Sequence, residues 1–228
     1  TNIILLTLNT GIYYYDKSLK KVWRKFPLSY CSRNPIIVDE NIYIVRKHGV
    51  ACISNKEISI VCGGFIGNIS LTKDKNDTIW AFSNGDEQFC PQLIQLGASL
   101  GEEAIYNINY PPGEGTCALK LDETRFFILG NRSAFIELRN DATCFANYPI
   151  TNPIAIVRID ENQCLVTSHK SLFSLNIKDS QTEMIANFVA NGSGEIALFS
   201  ESNGYVLFPY VNNYKLTKSY VLSFTKYK

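Results

Sequence analysis

Apolar and polar positions alternate in short blocks along this chain. Runs of four to seven residues rich in Ile, Val, Tyr and Phe are separated by clusters of Asn, Gly, Asp, Ser and Lys, the pattern of strand following strand through tight turns. Helical periodicity is nearly absent. The one stretch with room for a helical turn or two, residues 95–107, contains Gly97 and Gly101 and is expected to be a loop. An acidic turn recurs behind an apolar strand, marked by Asp39, Asp74, Asp122, Asp160 and Glu201, which lie 35, 48, 38 and 41 residues apart. Asp suits such a place because its carboxylate accepts backbone N–H groups across a turn. After each marker the same series follows: strand, polar turn, strand, polar turn, strand. These strands are 42–45, 50–53 and 57–62 after Asp39; 125–129, 134–138 and 142–146 after Asp122; and 163–166, 172–177 and 182–188 after Asp160.

Four short strands in a unit of about 40 residues cannot bury both faces alone, and this is the spacing of a β-propeller blade. The expected fold is therefore all-β, a six-bladed propeller of four-stranded antiparallel blades with approximate boundaries 1–34, 35–66, 67–116, 117–151, 152–194 and 195–228. The first unit holds only three strands, 3–8, 12–15 and 21–26, and is expected to be incomplete. Its edge strand would leave a row of unpaired backbone groups beside apolar side chains, so an upstream segment or a partner chain is expected to supply a fourth strand. Residues 220–227 are taken as the outer strand of the last blade. The 48-residue spacing contains an excess expected between residues 97 and 116, in a rim loop that is a candidate for ligand contact.

The chain has 228 residues, 46% hydrophobic and 19% charged, which is enough apolar material for a large core and excludes disorder. A formal charge of +1 excludes recruitment of nucleic acid or an anionic surface by a whole-molecule field. The apolar runs are far shorter than the roughly 20 residues of a membrane-spanning helix. Seven cysteines, at 31, 52, 62, 90, 117, 144 and 164, avoid the close pairing that zinc sites use. Most sit among apolar neighbours, and we read them as reduced core thiols, which favours an intracellular setting over a secreted one. The glycosylation sequons at Asn68, Asn76, Asn131 and Asn191 are about as many as this composition gives by chance.

One segment carries a family resemblance. Tyr15-Asp16 is followed by Trp23, then Arg33 before the next inner strand, and then Ile42-Tyr43. This order resembles a kelch repeat; the paired glycines that kelch blades place after the second strand are absent, since Arg46-Lys47, Ser83-Asn84, Gly130-Asn131 and Ser168-His169 stand there. The resemblance is specific over about 35 residues, and a WD-like propeller stays open beside the kelch-like one. It implies a propeller that binds another protein.

Candidate chemistry is sparse. His48 and His169 fall in turns of repeats two and five, too far apart on a six-bladed ring to share an ion, and are read as surface turn residues. Gly113-Glu114-Gly115 and Cys62-Gly63-Gly64 lack the strand-to-helix context and the Lys of a phosphate loop. Asp-Glu pairs at 39/40, 122/123 and 160/161 recur at one turn of the repeat, which a structural role explains better than catalysis or calcium binding. No nucleophile elbow occurs. Lys17, Lys20, Lys21, Arg24 and Lys25 form a basic cluster that admits nucleic acid as a partner without favouring it. No catalytic, metal or cofactor residues are therefore assigned, and the chain is not read as an enzyme. The expected function is a scaffold binding another macromolecule, a protein above all, through turns at one end of the ring. Its candidate contact residues are Arg33, Lys47, His48, Asn84, Asp86, Asn131, Arg132, His169, Lys170 and Asn212. A carbohydrate-binding propeller is the alternative, since repeated aromatics and small polar turns suit sugars.

Overall fold

The computed structural model describes residues 3–8, 11–16, 21–26, 35–39, 41–46, 49–54, 57–97, 101–131, 133–138, 147–148, 150, 153–179, 181–187, 195–198, 203–212 and 215–225. Side chains are described from 35 to 187 within those ranges, apart from 102, 103, 147 and 148, and again at 221–223. Every regular element among them is a strand, and the strands form six antiparallel sheets in chain order. The first sheet is β1 (Ile3–Leu8), β2 (Gly11–Asp16) and β3 (Lys21–Phe26). The second is β4 (Ile36–Val38), β5 (Asn41–Arg46), β6 (Gly49–Ser54) and β7 (Glu57–Gly63), and the third is β8 (Ile69–Lys73), β9 (Ile79–Ser83), β10 (Gln92–Leu96) and β11 (Glu102–Asn107). The fourth is β12 (Gly115–Lys120), β13 (Arg125–Gly130), β14 (Ser133–Glu137) and β15 (Asn147–Tyr148). The fifth is β16 (Pro153–Arg158), β17 (Gln163–Ser168), β18 (Ser171–Asn176) and β19 (Gln181–Asn187), and the sixth is β20 (Glu195–Leu198), β21 (Asn203–Asn212) and β22 (Lys215–Thr225). Two compact units divide the chain, Thr1–Gly113 with the first three sheets and Glu114–Lys228 with the last three.

Burial grades across the sheets whose side chains are described. The middle strands β6, β9, β13 and β17 are buried along nearly their whole length, because both of their faces are covered; continuous apolar runs such as Phe126 to Leu129 serve that position. The last strands β7 and β19 are mostly exposed. Each fourth strand with a full register also carries one residue more than its neighbour: Val61 in β7, Glu103 in β11 and Ile185 in β19. Such bulges twist an open edge away from chance pairing. Trp23 is the corresponding extra residue of β3. Extra residues also occur in the opening strands β12 and β16 and in β22, and the first sheet has three strands among the described residues.

Inside each unit, neighbouring sheets are joined by an apolar layer. In the first, Tyr43, Val45, Cys52 and Cys62 meet Ile69, Leu71, Ala81 and Ile94. In the second, Leu121, Phe127 and Leu129 meet Cys164, Val166, Leu175 and Ile177, with Phe127 and Phe135 edge-to-face at 4.9 Å between ring centroids. The thiols of Cys52, Cys62 and Cys164 are buried in these layers. Burial pushes the Cys164 and Cys117 thiols up to about 12, which keeps them protonated and unreactive at neutral pH.

The acidic turns do what their recurrence implies. Asp74 Oδ1 accepts from the amides of Asn76 and Thr78 at 2.9 and 3.0 Å. Asp122 Oδ1 accepts from Thr124 and Arg125 at 3.1 and 2.8 Å, and Asp160 Oδ1 from Asn162 and Gln163 at 2.6 and 2.9 Å. A second device of these turns goes beyond the marker acids. A cation at the end of the opening strand reaches the preceding sheet: Lys73 Nζ donates to Ile37 O at 3.3 Å, and Arg158 Nη1 donates to Leu121 O at 2.6 Å. Arg158 also donates to the carbonyls of Asp160 and Glu161, so one guanidinium ties two consecutive turns together.

Three expectations need correction. Residues 95–107 are not a loop, because β10 and β11 pair across the short link 97–101. The excess length in the third repeat lies mainly at 84–91, between β9 and β10, where other sheets have two residues, as between β5 and β6 or β17 and β18. Residues 220–227 do not make a separate outer strand, since β22 runs unbroken from Lys215 to Thr225 against β21 and leaves the sixth sheet with three described strands. The predicted strand 142–146 lies outside the described residues; Asn147 and Tyr148 pair with β14 in its place.

Candidate functional site

The connection 84–91 leaves β9 at Ser83, where the buried sheet stops and the chain must turn without burying unpaired backbone. Asn84 solves this. It is 2% exposed; its Oδ1 accepts from Asn68 N at 2.6 Å, its amide donates to Asn68 O at 3.0 Å, and its carbonyl accepts from Gly113 N at 2.9 Å. Ser83 Oγ donates to Ile66 O at 2.5 Å, and Ile108 N donates to Pro91 O at 2.9 Å. Three connections of one sheet end, 64–68, 84–91 and 108–113, are thereby stitched into a single knot. Phe65, at 4% exposure, roots the first of them in the apolar layer between the second and third sheets.

Two glycines make the knot possible. Gly67 has a φ of +79°, and a Cβ there would collide with Asn84 Oδ1 and the Gly85 carbonyl. Gly85 has a φ of +65°, with the Phe89 carbonyl equally close and Pro91 N at 2.9 Å. Only glycine tolerates that conformation in that space. Beyond Gly85 the loop closes on itself: Asp86 N donates to Phe89 O at 3.0 Å, and Asp86 Oδ1 accepts from Gln88 and Phe89 amides at 2.9 and 3.1 Å. The result is a short tip held by its own backbone, with Asp86, Glu87, Gln88, Phe89 and Cys90 all exposed.

The other candidate contacts divide by place. Asp86 is at this tip, whereas Asn84 is buried and positions the loop. In the second unit, Asn131 is exposed between β13 and β14, with its amide donating to Glu114 O at 3.1 Å. His169 and Lys170 are exposed between β17 and β18, in a turn braced by Ser171 N donating to Ser168 Oγ at 3.1 Å. Asn212 ends β21 opposite Lys215. Arg33, Lys47, His48 and Arg132 lie outside the described residues, as do Lys17 and Lys20 of the basic cluster. Phe89 and Glu87 escaped the sequence reading, although Asn84-Gly85 and Pro91 bracket them with turn residues. Among the described residues no three His, Cys, Asp or Glu side chains converge as metal ligands would, and no helix is long and apolar enough to cross a membrane.

No protein-family model matches the sequence, and comparison with curated proteins finds no match. Solved structures do match. The complex of KlAtg21 with the coiled-coil of AgAtg16 aligns with a TM-score of 0.62 at 12% identity, covering 96% of this chain and 82% of that one. YCF48 bound to D1 peptide aligns at 0.61 and 9% identity, covering 97% and 76%. Dihydro-heme d1 dehydrogenase NirN aligns at 0.59 and 10% identity, covering 96% of this chain and 53% of that one. The chain has the β-propeller fold. At these identities the likeness carries the fold alone, and the fold serves binding proteins and an enzyme alike.

Proposed function

We propose that this chain is a non-catalytic propeller scaffold, degenerate and kelch-like, that binds another protein through the connections at the sheet ends opposite the acidic turns. The observation that carries this reading is the contrast between those ends. At the acidic turns the carboxylates accept backbone amides of their own turns, whereas the knot at 84–91 holds Asp86 to Cys90 out to solvent on a fixed backbone. A rigid scaffold with one outsized, preorganised loop is where partner contact concentrates. KlAtg21 with a coiled-coil and YCF48 with a peptide lend support, as propellers solved with polypeptide partners. The same partner, or a segment of the native chain, supplies the strand that completes the first sheet along β1, which pairs only with β2 among the described residues.

Affinity capture from the native source tests this. Changing His169, Lys170, Asp86 and Phe89 together should abolish recovery of a specific protein, while changing Lys75 and Asp179 at the other sheet ends should leave it intact. Recovery that survives the first set, or binding to glycans in place of protein, overturns the reading.

A further inference from the structure

The tip at 84–91 has a chemical character that narrows its partner. Phe89 keeps 52% of its surface in water, although the loop around it is fastened at Asn84, Asp86 and Pro91 and has no freedom to fold the ring away. The ring differs in this from the large side chains of the adjoining strand β9, Trp80 at 5% and Phe82 at 1% exposure, while Ile105 on the outer strand β11 is exposed at 51%. The neighbouring exposed residues are Asp86, Glu87 and Gln88. Across the three connections of the knot, 64–68, 84–91 and 108–113, there are two carboxylates and no Lys or Arg. The acidic turns differ in this respect, since Asp122 is paired with Arg125 and Asp77 with Lys73. Among the described residues, these three connections place no Lys or Arg of their own beside the ring or the acids.

We propose that this tip is the docking point for an arginine-bearing basic segment of a protein partner. A guanidinium satisfies both features at once: its planar face stacks on the phenyl ring, and its N–H groups pair with a carboxylate at the edge. Lys makes a weaker substitute, since its compact ammonium cannot do both in one plane. Gln88 adds a side-chain amide for the segment's backbone. The fixed loop lowers the ordering cost of binding, so that a small patch suffices for recognition. This deepens the partner-binding reading above and rests on it.

The test uses the full chain and short fluorescein-labelled peptides alternating Arg and Leu, Lys and Leu, or Glu and Leu, read by anisotropy. The Arg peptide should bind best and the Glu peptide should not bind, with affinity falling as salt rises. Phe89→Ala should weaken the Arg peptide about tenfold, the factor that 1.4 kcal/mol represents. Glu87→Gln should weaken it several-fold, and Phe89→Tyr should preserve it. The exposed positions of both side chains keep these variants folded, which an unchanged melting curve verifies. Equal binding by wild type and Phe89→Ala, or no preference for Arg over Glu peptide, overturns the proposal. So does self-association that depends on Phe89, which would make the patch an interface between copies of this chain. If a native partner is captured as described above but Phe89→Ala retains it, the loop's role fails while the scaffold reading stands; if the changed turns never affect capture, both fail.

Discussion

The two kinds of turn in the third sheet use one device for opposite ends. Asp74, between β8 and β9, and Asp86, between β9 and β10, each accept two backbone amides through Oδ1. Around Asp74 the surroundings turn inward: Lys73 reaches Asp77 and the Ile37 carbonyl of the preceding sheet. Around Asp86 they turn outward, leaving Phe89 and Glu87 in water. The carboxylate sets the backbone of a turn, and the residues beside it decide whether the turn joins sheets or meets a partner.

The largest expected effect separates the two. Gly67→Ala forces a positive φ on a residue with a Cβ and drives that Cβ into Asn84 and Gly85. It should cost about 3 kcal/mol or more, read as a drop in the urea midpoint. A variant as stable as wild type would show that the knot is not rigid. Arg158→Met tests the joining turns, because it removes three donations to carbonyls of two turns. A loss of about 1–3 kcal/mol is expected, partly restored by Arg158→Lys; no loss would mean that the apolar layer alone joins the fourth and fifth sheets.

The third prediction concerns pH. Partial burial by itself raises the Asp122 carboxyl, but hydrogen bonds from the Arg125 side chain and from the Arg125 and Thr124 amides, with the Arg125 charge, outweigh it and hold the group below the usual carboxylate range. A depressed folded value means the contribution is present above the unfolded pKa of about 3.9 and is lost as pH falls through the lower folded one. Wild type should therefore exceed Asp122→Asn in stability at pH 7, and the two should converge as pH falls below the unfolded value and through the lower folded one. A gap that persists in acid would assign the effect to something other than ionisation. The smallest effect belongs to Phe89→Ala, which should change stability by no more than about 0.5 kcal/mol. A larger destabilisation would place the ring in the fold and not on a contact surface.

Much of this architecture was legible in the chain. Strand blocks such as 42–45 and 163–166, the acidic markers and the three-stranded first unit all rest on local chemistry: β-branched and aromatic runs favour strands, and Asp favours the turn that follows. The candidate site was legible only in part. Asn84 and Asp86 share a turn in the sequence, yet one is buried as a brace and the other shapes the tip, and the exposure of Phe89 follows from the closed loop and not from its local sequence.

By itself the sequence determined the class of fold and the succession of short strands and turns, since each depends on neighbours within a few positions. It did not determine where the surplus of the third repeat lies, because the spacing from Asp74 to Asp122 fixes only a total and several Gly- and Pro-containing segments were able to hold it. Pairing decided that: β11 aligns Tyr106 with Leu93 and Ile105 with Ile94, which draws 102–107 into the sheet and leaves the extra residues at 84–91. The reach of Arg158 to Leu121 was likewise set by tertiary structure, for 37 positions separate a cation from a carbonyl that only the packing of one sheet on the next brings within hydrogen-bonding distance.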